Sequence, residues 1–179
     1  MVFFPSYLFM EEVYQKYLEH YHRDEELLIQ RSDMNEAEKE EFLNHFDESE
    51  HTVVGFCVLG GVFSEGIDLT GNRLIGSIIV GTGLPGVSNR RKIMMDYFDR
   101  IDGNGFLYSY LYPGMNKVMQ AAGRVIRTQD DVGVVVLLDE RFLYSDYKST
   151  FPPEWKNYSV ETLDTVESSV KKFWDEMKL

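Results

Sequence analysis

Three apolar runs, Thr52–Leu59, Leu74–Val80 and Val132–Leu138, constrain this chain more than any other feature. None alternates polar with apolar residues, and each is far shorter than the ~18 residues of a membrane span. Short runs of this kind are strands buried on both faces, as in a parallel sheet covered by helices on either side. The stretches between them repeat apolar residues at helical spacing. Strand–helix alternation predicts an α/β fold assembled from βαβ units. Ligands of such sheets sit outside the carboxyl ends of the strands. Function is therefore expected in the loops at Ser6, Gly60–Thr70, Gly81–Ser88 and Asp139–Phe142.

The remaining elements follow from local pattern. Val2–Phe4 reads as a buried strand ended by Pro5-Ser6, and Tyr7–Tyr21 as a helix. Leu27–Gln30 is a short strand. Asn35 and Glu38 have the spacing of a capping box, with Phe42, Leu43 and Phe46 as the apolar stripe behind it. A helix from Ser88 to Arg100 is expected to turn Ile93, Met94, Tyr97 and Phe98 inward, and Pro113–Arg127 reads as another helix. From Ser159 onward, Leu163, Val166, Val170, Phe173, Trp174 and Met177 repeat at helical spacing. The division expected is one domain over residues 1–155, with residues 156–179 a C-terminal helix packed on it. The chain opens inside a strand, which suggests a tight N-terminus or a piece of something longer.

At 179 residues with 44% hydrophobic content, the chain has ample material for one core. The segment MVFFPSYLFM has no basic lead-in and carries Pro5, unlike a signal peptide. The single Cys57 excludes an internal disulfide and a cysteine-ligated cluster within the chain, and a cytoplasmic location is expected. His20, His22, His45 and His51 stand at no metal-binding spacing, so no metal site is expected.

Net charge is -12, but the distribution is uneven. Residues 1–50 hold fourteen acids and four bases, and residues 128–179 hold eleven and six. Residues 51–127 hold five acids and eight bases. A basic centre between acidic flanks suits an anionic ligand handled by the middle. Chance clustering of solvated helix faces would give the same numbers.

Three constellations lie in that middle segment. Gly81-Thr-Gly83-Leu-Pro-Gly86 matches the G-x-G-x-x-G fingerprint of dinucleotide sites. Pro85 removes an amide from the cradle, however, and the expected acidic partner on a following strand is absent. Gly60-Gly-Val-Phe-Ser-Glu-Gly66-Ile-Asp-Leu-Thr70-Gly puts glycines, a hydroxyl and two carboxylates after a buried strand. It is either an anion- or sugar-binding loop or a tight connection. On a helical wheel through Lys117–Arg127, Val118, Ala121, Ala122 and Val125 share one face. Gln120, Arg124 and Arg127 share the opposite one. Guanidinium forks match phosphate oxygens, although exposed arginines would fit the same wheel. No G-x-x-x-x-G-K-[ST] loop occurs, so two phosphate-seeking arginines suggest half of a composite site.

These segments resemble helicase motifs. Gly61-Val-Phe-Ser-Glu-Gly-Ile-Asp-Leu69 is similar to motif V, and Gln120-Ala-Ala-Gly-Arg-Val-Ile-Arg127 to motif VI, of superfamily 2 helicases. Asp131-Val-Gly-Val-Val-Val-Leu-Leu-Asp-Glu-Arg-Phe142 resembles the XPD/DinG branch. Val2-Phe-Phe-Pro-Ser-Tyr7 resembles motif IV, and Ile79-Val-Gly-Thr-Gly-Leu-Pro85 the loop between motifs V and VI. Gly86-Val87 stands where relatives often carry Phe-Pro. The matches run in family order from residue 2 to about residue 155.

The resemblance implies a RecA-like domain, the second motor domain of an ATP-dependent DNA helicase. It implies ATP with magnesium, shared with an N-terminal RecA-like domain that would hold the P-loop. Any iron–sulfur cluster would lie outside this chain. Arg127 would be the arginine finger, supported by Arg124 and Gln120. Gly66 and Asp68 would contact nucleotide, and Ser6, Ser64 and Glu65 would lie towards single-stranded DNA. No membrane partner is implied, and the chain alone is not expected to hydrolyse ATP. The competing reading is a stand-alone RecA-like module that binds nucleic acid or protein without ATPase activity.

Overall fold

The structure, a computed structural model, describes residues 1–21, 23–48, 51–64, 69, 73–126 and 131–177. Five parallel strands form one sheet: β1 (Val2–Phe4), β2 (Glu26–Ile29), β3 (Val53–Val58), β4 (Gly76–Val80) and β5 (Val134–Leu138). Their order is β2-β3-β1-β4-β5, so the first strand is the middle one. It pairs with β3 through Val2–Phe56 and Phe4–Val58, and with β4 through Val2–Ile78. The α/β class and parallel sheet expected from the strand pattern are present, and all four expected loops follow carboxyl ends of strands.

Helices flank the sheet: α1 (Tyr7–His20), α2 (Glu36–Glu48), α3 (Asn89–Asp102), α4 (Tyr112–Ala122), α5 (Ser145–Lys148) and α6 (Val166–Met177). One core joins Phe3, Cys57, Phe63, Ile79, Met115, Val118 and Ala121 across β1, β3, β4 and α4. A second forms where Met10 of α1 meets Phe4, Phe56 and Val58. Phe4 and Phe56 stack with ring centroids 5.7 Å apart. Cys57, fully buried, has its thiol pushed up to about 12 by desolvation, so it remains a neutral packing group.

Local chemistry sets several boundaries. The capping box closes as the spacing predicts: Glu38 N donates to Asn35 Oδ1 at 3.0 Å, and Asn35 N to Glu38 Oε2 at 2.8 Å. Ser88 caps α3 through Arg91 N, and Gly103 ends it with a left-handed φ of 73°.

Four expectations need correction. The edge strand stops at Ile29, and Gln30, assigned to it, turns inward instead. Helix α4 ends at Ala122 rather than Arg127, because Gly123 takes over as its cap and the chain tightens into a turn. At its other end α4 is fed by a π-helical turn over Leu107–Leu111, which the sequence reading left unassigned. Along α3 only Arg91, Met94, Met95 and Phe98 are even partly covered. Ile93 and Tyr97 stay 70% and 56% exposed. The reason is that α3 packs against the π turn with a single narrow stripe. The C-terminal helix begins at Val166, not near Ser159. No residue of α6 is buried, and none joins either cluster.

Candidate functional site

The carboxyl ends of β1, β3 and β4 meet the first turns of α1 and α4, and most of the candidate residues described lie on this rim. Ser6 follows β1 and is exposed. Its hydroxyl caps α1 by accepting from Phe9 N at 3.3 Å. Next to it Tyr7 receives a hydrogen bond from Gln30 Nε2 at 2.9 Å, while Gln30 Oε1 accepts from Val58 N at 2.9 Å. The buried amide thus ties the ends of β2 and β3 to the start of α1.

After β3 the chain turns at Gly60, φ 76°. Gly61 N bonds Val58 O, and Ser64 N bonds Gly61 O. The Ser64 hydroxyl donates to Gly61 O at 2.8 Å, and the residue is fully buried. Ser64 was expected to face DNA; here it folds the loop on itself. Its carbonyl is used as well, accepting from Arg124 Nε at 3.2 Å. That bond joins two segments sixty residues apart, the loop after β3 and the turn after α4.

Arg124 is therefore not one face of a continuing helix. Gly123 N bonds Met119 O and Arg124 N bonds Ala121 O, a tightening turn that carries Arg124 to the loop while Val125 stays in the core. Gln120 sits on the exposed face of α4, opposite buried Val118, Ala121 and Ala122, as the wheel predicts. Glu65, Gly66, Asp68 and Arg127 lie outside the described residues.

The glycine-rich loop after β4 has a packing purpose. Gly81 and Gly83 adopt φ of 80° and 65°. A Cβ on Gly83 would lie 2.7 Å from Gly114 O, and one on Gly114 would lie 2.7 Å from Thr82 O. The two backbones touch, which fixes the start of α4 against the sheet. A Cβ added at Gly86 would meet nothing within 4 Å beyond its chain neighbours. The fingerprint spacing thus reflects loop-to-helix contact rather than a pyrophosphate cradle.

At the end of β5, Asp139 and Arg141 pair in a fork, Oδ1 to Nε at 2.8 Å and Oδ2 to Nη2 at 2.6 Å. Arg141 holds the Asp139 carboxyl below its usual range. Asp139 also accepts from Arg141 N, so the pair organises the 3-10 turn over Glu140–Leu143.

Reading the sequence missed Gln30, Tyr7 and Lys117. Lys117 lies one turn before Gln120, and its stem crosses Gly60. Only its helical spacing from Gln120 signals it. Among the described residues no three His, Cys, Asp or Glu side chains converge as metal ligands would. No helix there is long and apolar enough to cross a membrane.

Comparison with known proteins agrees with this architecture. The sequence signature of the family described as the helicase C-terminal domain matches residues 1–158. The ATP-dependent DNA helicase DinG of Photobacterium profundum is 38% identical over 89 residues, which cover 49% of this chain and 13% of DinG. The XPD/RAD3 helicase subunit of the general transcription and DNA repair factor IIH of Saccharomyces cerevisiae is 29% identical over 167 residues. That match covers 87% of this chain and 20% of the subunit. A probable ATP-dependent helicase of Methanocaldococcus jannaschii is 27% identical, covering 87% of this chain and 25% of that protein. A solved XPD helicase shares the fold with a TM-score of 0.63 at 24% identity, over 83% of this chain and 26% of the other. The chain thus spans a quarter or less of the length of these curated relatives. With its parallel sheet, its loop-to-turn bond and a family signature over residues 1–158, it belongs to the helicase C-terminal domain family.

Proposed function

We propose that this chain acts as the second motor domain of an ATP-dependent DNA helicase. It contributes the arginine half of a composite ATP site and part of the path of a single DNA strand. The observation that carries the reading is the bond from Arg124 Nε to Ser64 O. It couples the segment similar to motif VI to the segment similar to motif V, so a shift at one must be felt at the other.

The donor set suits a polyphosphate. Gln120 on the open face of α4, Arg124 in the following turn and Arg127 three residues further offer amide and guanidinium donors of the kind that match phosphate oxygens. ATP with magnesium, when bound, supplies the phosphoryl group whose transfer to water drives the motor. Arg127 is assigned the finger that neutralises charge on that group, with Arg124 and Gln120 holding it in place. Gly66 and Asp68 are assigned to the nucleotide side. Ser6, Ser64 and Glu65 are assigned to the DNA-strand side, with the Ser64 hydroxyl also folding the loop after β3 through Gly61 O. The phosphate cradle and magnesium ligands are assigned to an N-terminal RecA-like domain, with which this chain would form the cleft.

The test is Arg127→Ala in the protein that contains this chain. DNA-stimulated ATP turnover should fall ~10³-fold with ATP binding retained, because the finger acts mainly in the transition state. Lys at this position should rescue little, since an ammonium lacks the planar fork. A folded Arg127→Ala protein with near-normal turnover would remove Arg127 from the mechanism.

A further inference from the structure

The geometry points to Lys117 as a contact for a backbone phosphate of the DNA strand, at the rim where β1 and β3 end. This deepens the proposed function and rests on it. Lys117 belongs to α4, one turn ahead of Gln120 and one turn beyond the Gly83–Gly114 contact. Its Cδ, Cε and Nζ pass 3.0, 3.0 and 3.3 Å from where a Cβ on Gly60 would stand. Gly60, with φ 76°, is bare at the point the stem crosses, and any side chain there would push the stem away.

The half-buried stem is held on both sides, by α4 beneath and the Gly60 turn beside it, so the ammonium is aimed rather than loose. No carboxylate among the described residues lies within ion-pair distance of it. Exposed Ser6 and the start of α1 follow β1, the strand that pairs with β3. A hydroxyl, helix-start amides and a preset ammonium at adjoining strand ends form a surface suited to a phosphodiester. Lys117 is the one cation within α4, Tyr112–Ala122.

A phosphate could come from DNA or from a nucleotide, and one experiment separates them. Binding of labelled oligothymidylate to the 179-residue chain is followed by fluorescence anisotropy across a salt series, for wild type, Lys117→Gln, Lys117→Arg and Lys156→Gln. Lys156 is exposed in the turn over Pro153–Asn157, so its loss changes net charge equally at a remote site. The same proteins are titrated with a fluorescent ATP analogue, and circular dichroism verifies their folding. Lys117→Gln should weaken DNA binding roughly threefold and reduce the salt slope by ~0.7, the loss of one phosphate contact on a single strand. Lys117→Arg should restore both, and Lys156→Gln should change neither slope nor nucleotide binding. Equal slopes for wild type and Lys117→Gln would overturn the assignment and leave the broader reading standing. Weakened analogue binding with an unchanged DNA slope would overturn it in favour of a nucleotide phosphate. Absence of DNA binding by the wild-type chain would overturn both this contact and the chain's own share in the DNA path.

Discussion

Gly83→Ala tests how the loop after β4 fixes the helix that carries Lys117 and Gln120. Two costs are legible at this position. An alanine at φ 65° occupies the left-handed region, which disfavours a side chain by ~1–2 kcal/mol. Its Cβ would also stand 2.7 Å from Gly114 O and 2.8 Å from Leu59 Cδ2. Leu59 could rotate, but the carbonyl belongs to the first turn of α4, so relief requires loop and helix to separate. Overpacking of this sort costs ~1–3 kcal/mol. Together the change should destabilise by about 2–5 kcal/mol, a large share of the ~5–15 kcal/mol that holds a typical domain. Urea denaturation followed by circular dichroism gives the value from the shift in midpoint at constant slope. Gly86→Ala is the matched control, since nothing stands within 4 Å of its Cβ position and its φ is ordinary. It should leave the midpoint unchanged or raise it slightly by restricting the unfolded chain. Equal midpoints for Gly83→Ala and wild type would show that the loop does not brace the helix.

Two further predictions concern the rim and the far edge of the sheet. Gln30→Leu should cost ~1–3 kcal/mol in the same denaturation assay, because Val58 N loses its buried partner and Tyr7 loses its donor; a change under half of that would mean water replaces the amide. Asp139→Ala should cost about 1 kcal/mol at neutral pH through loss of the fork to Arg141. Because the folded-state value of Asp139 is depressed, that stabilisation is full above the ordinary 3.8 and fades as pH falls through the lower folded value. Wild type and variant melts should therefore converge only in strong acid, and convergence already near pH 6 would contradict the pairing.

The sheet was legible because buried parallel strands write themselves as continuous apolar runs, and β1, β3, β4 and β5 all fall within one or two residues of those runs. Capping chemistry was equally legible, since Asn35–Glu38 is a local contact four residues long. Helix faces were less so. A stripe of Ile93, Met94, Tyr97 and Phe98 cannot tell which half meets a neighbour, and the neighbour proved to be a π turn too narrow to cover both. The wheel through Lys117–Arg127 sorted core from surface correctly up to Ala122. It could not foresee that Gly123 ends the helix and that Arg124 then reaches a carbonyl sixty residues away. The part Ser64 plays in its own loop was hidden for a related reason: a hydroxyl in a glycine-rich loop reads as a ligand group, while its bond to Gly61 O is visible only in three dimensions. Lys117 was passed over because a lone lysine on a helix carries no pattern, and its direction depends on Gly60 across the fold.

The central position of β1 has a consequence for how this domain reaches its native state. Val2–Phe4 has both its backbone edges paired, one to Phe56–Val58 and the other to Ile78–Ile79. Of the five strands β1 is made before the others, yet it must wait until residue 79 is available before its hydrogen bonding is complete. Until then a Val-Phe-Phe segment that is almost wholly buried in the finished sheet has no lasting partner. Sequence separations of this size make loop closure the slow step of assembly and lengthen the time an apolar strand stays exposed. Met10 and its neighbours in α1 lie close in sequence and pack on Phe4. They are the local shelter within reach during that interval, so the first helix serves synthesis as well as the finished fold.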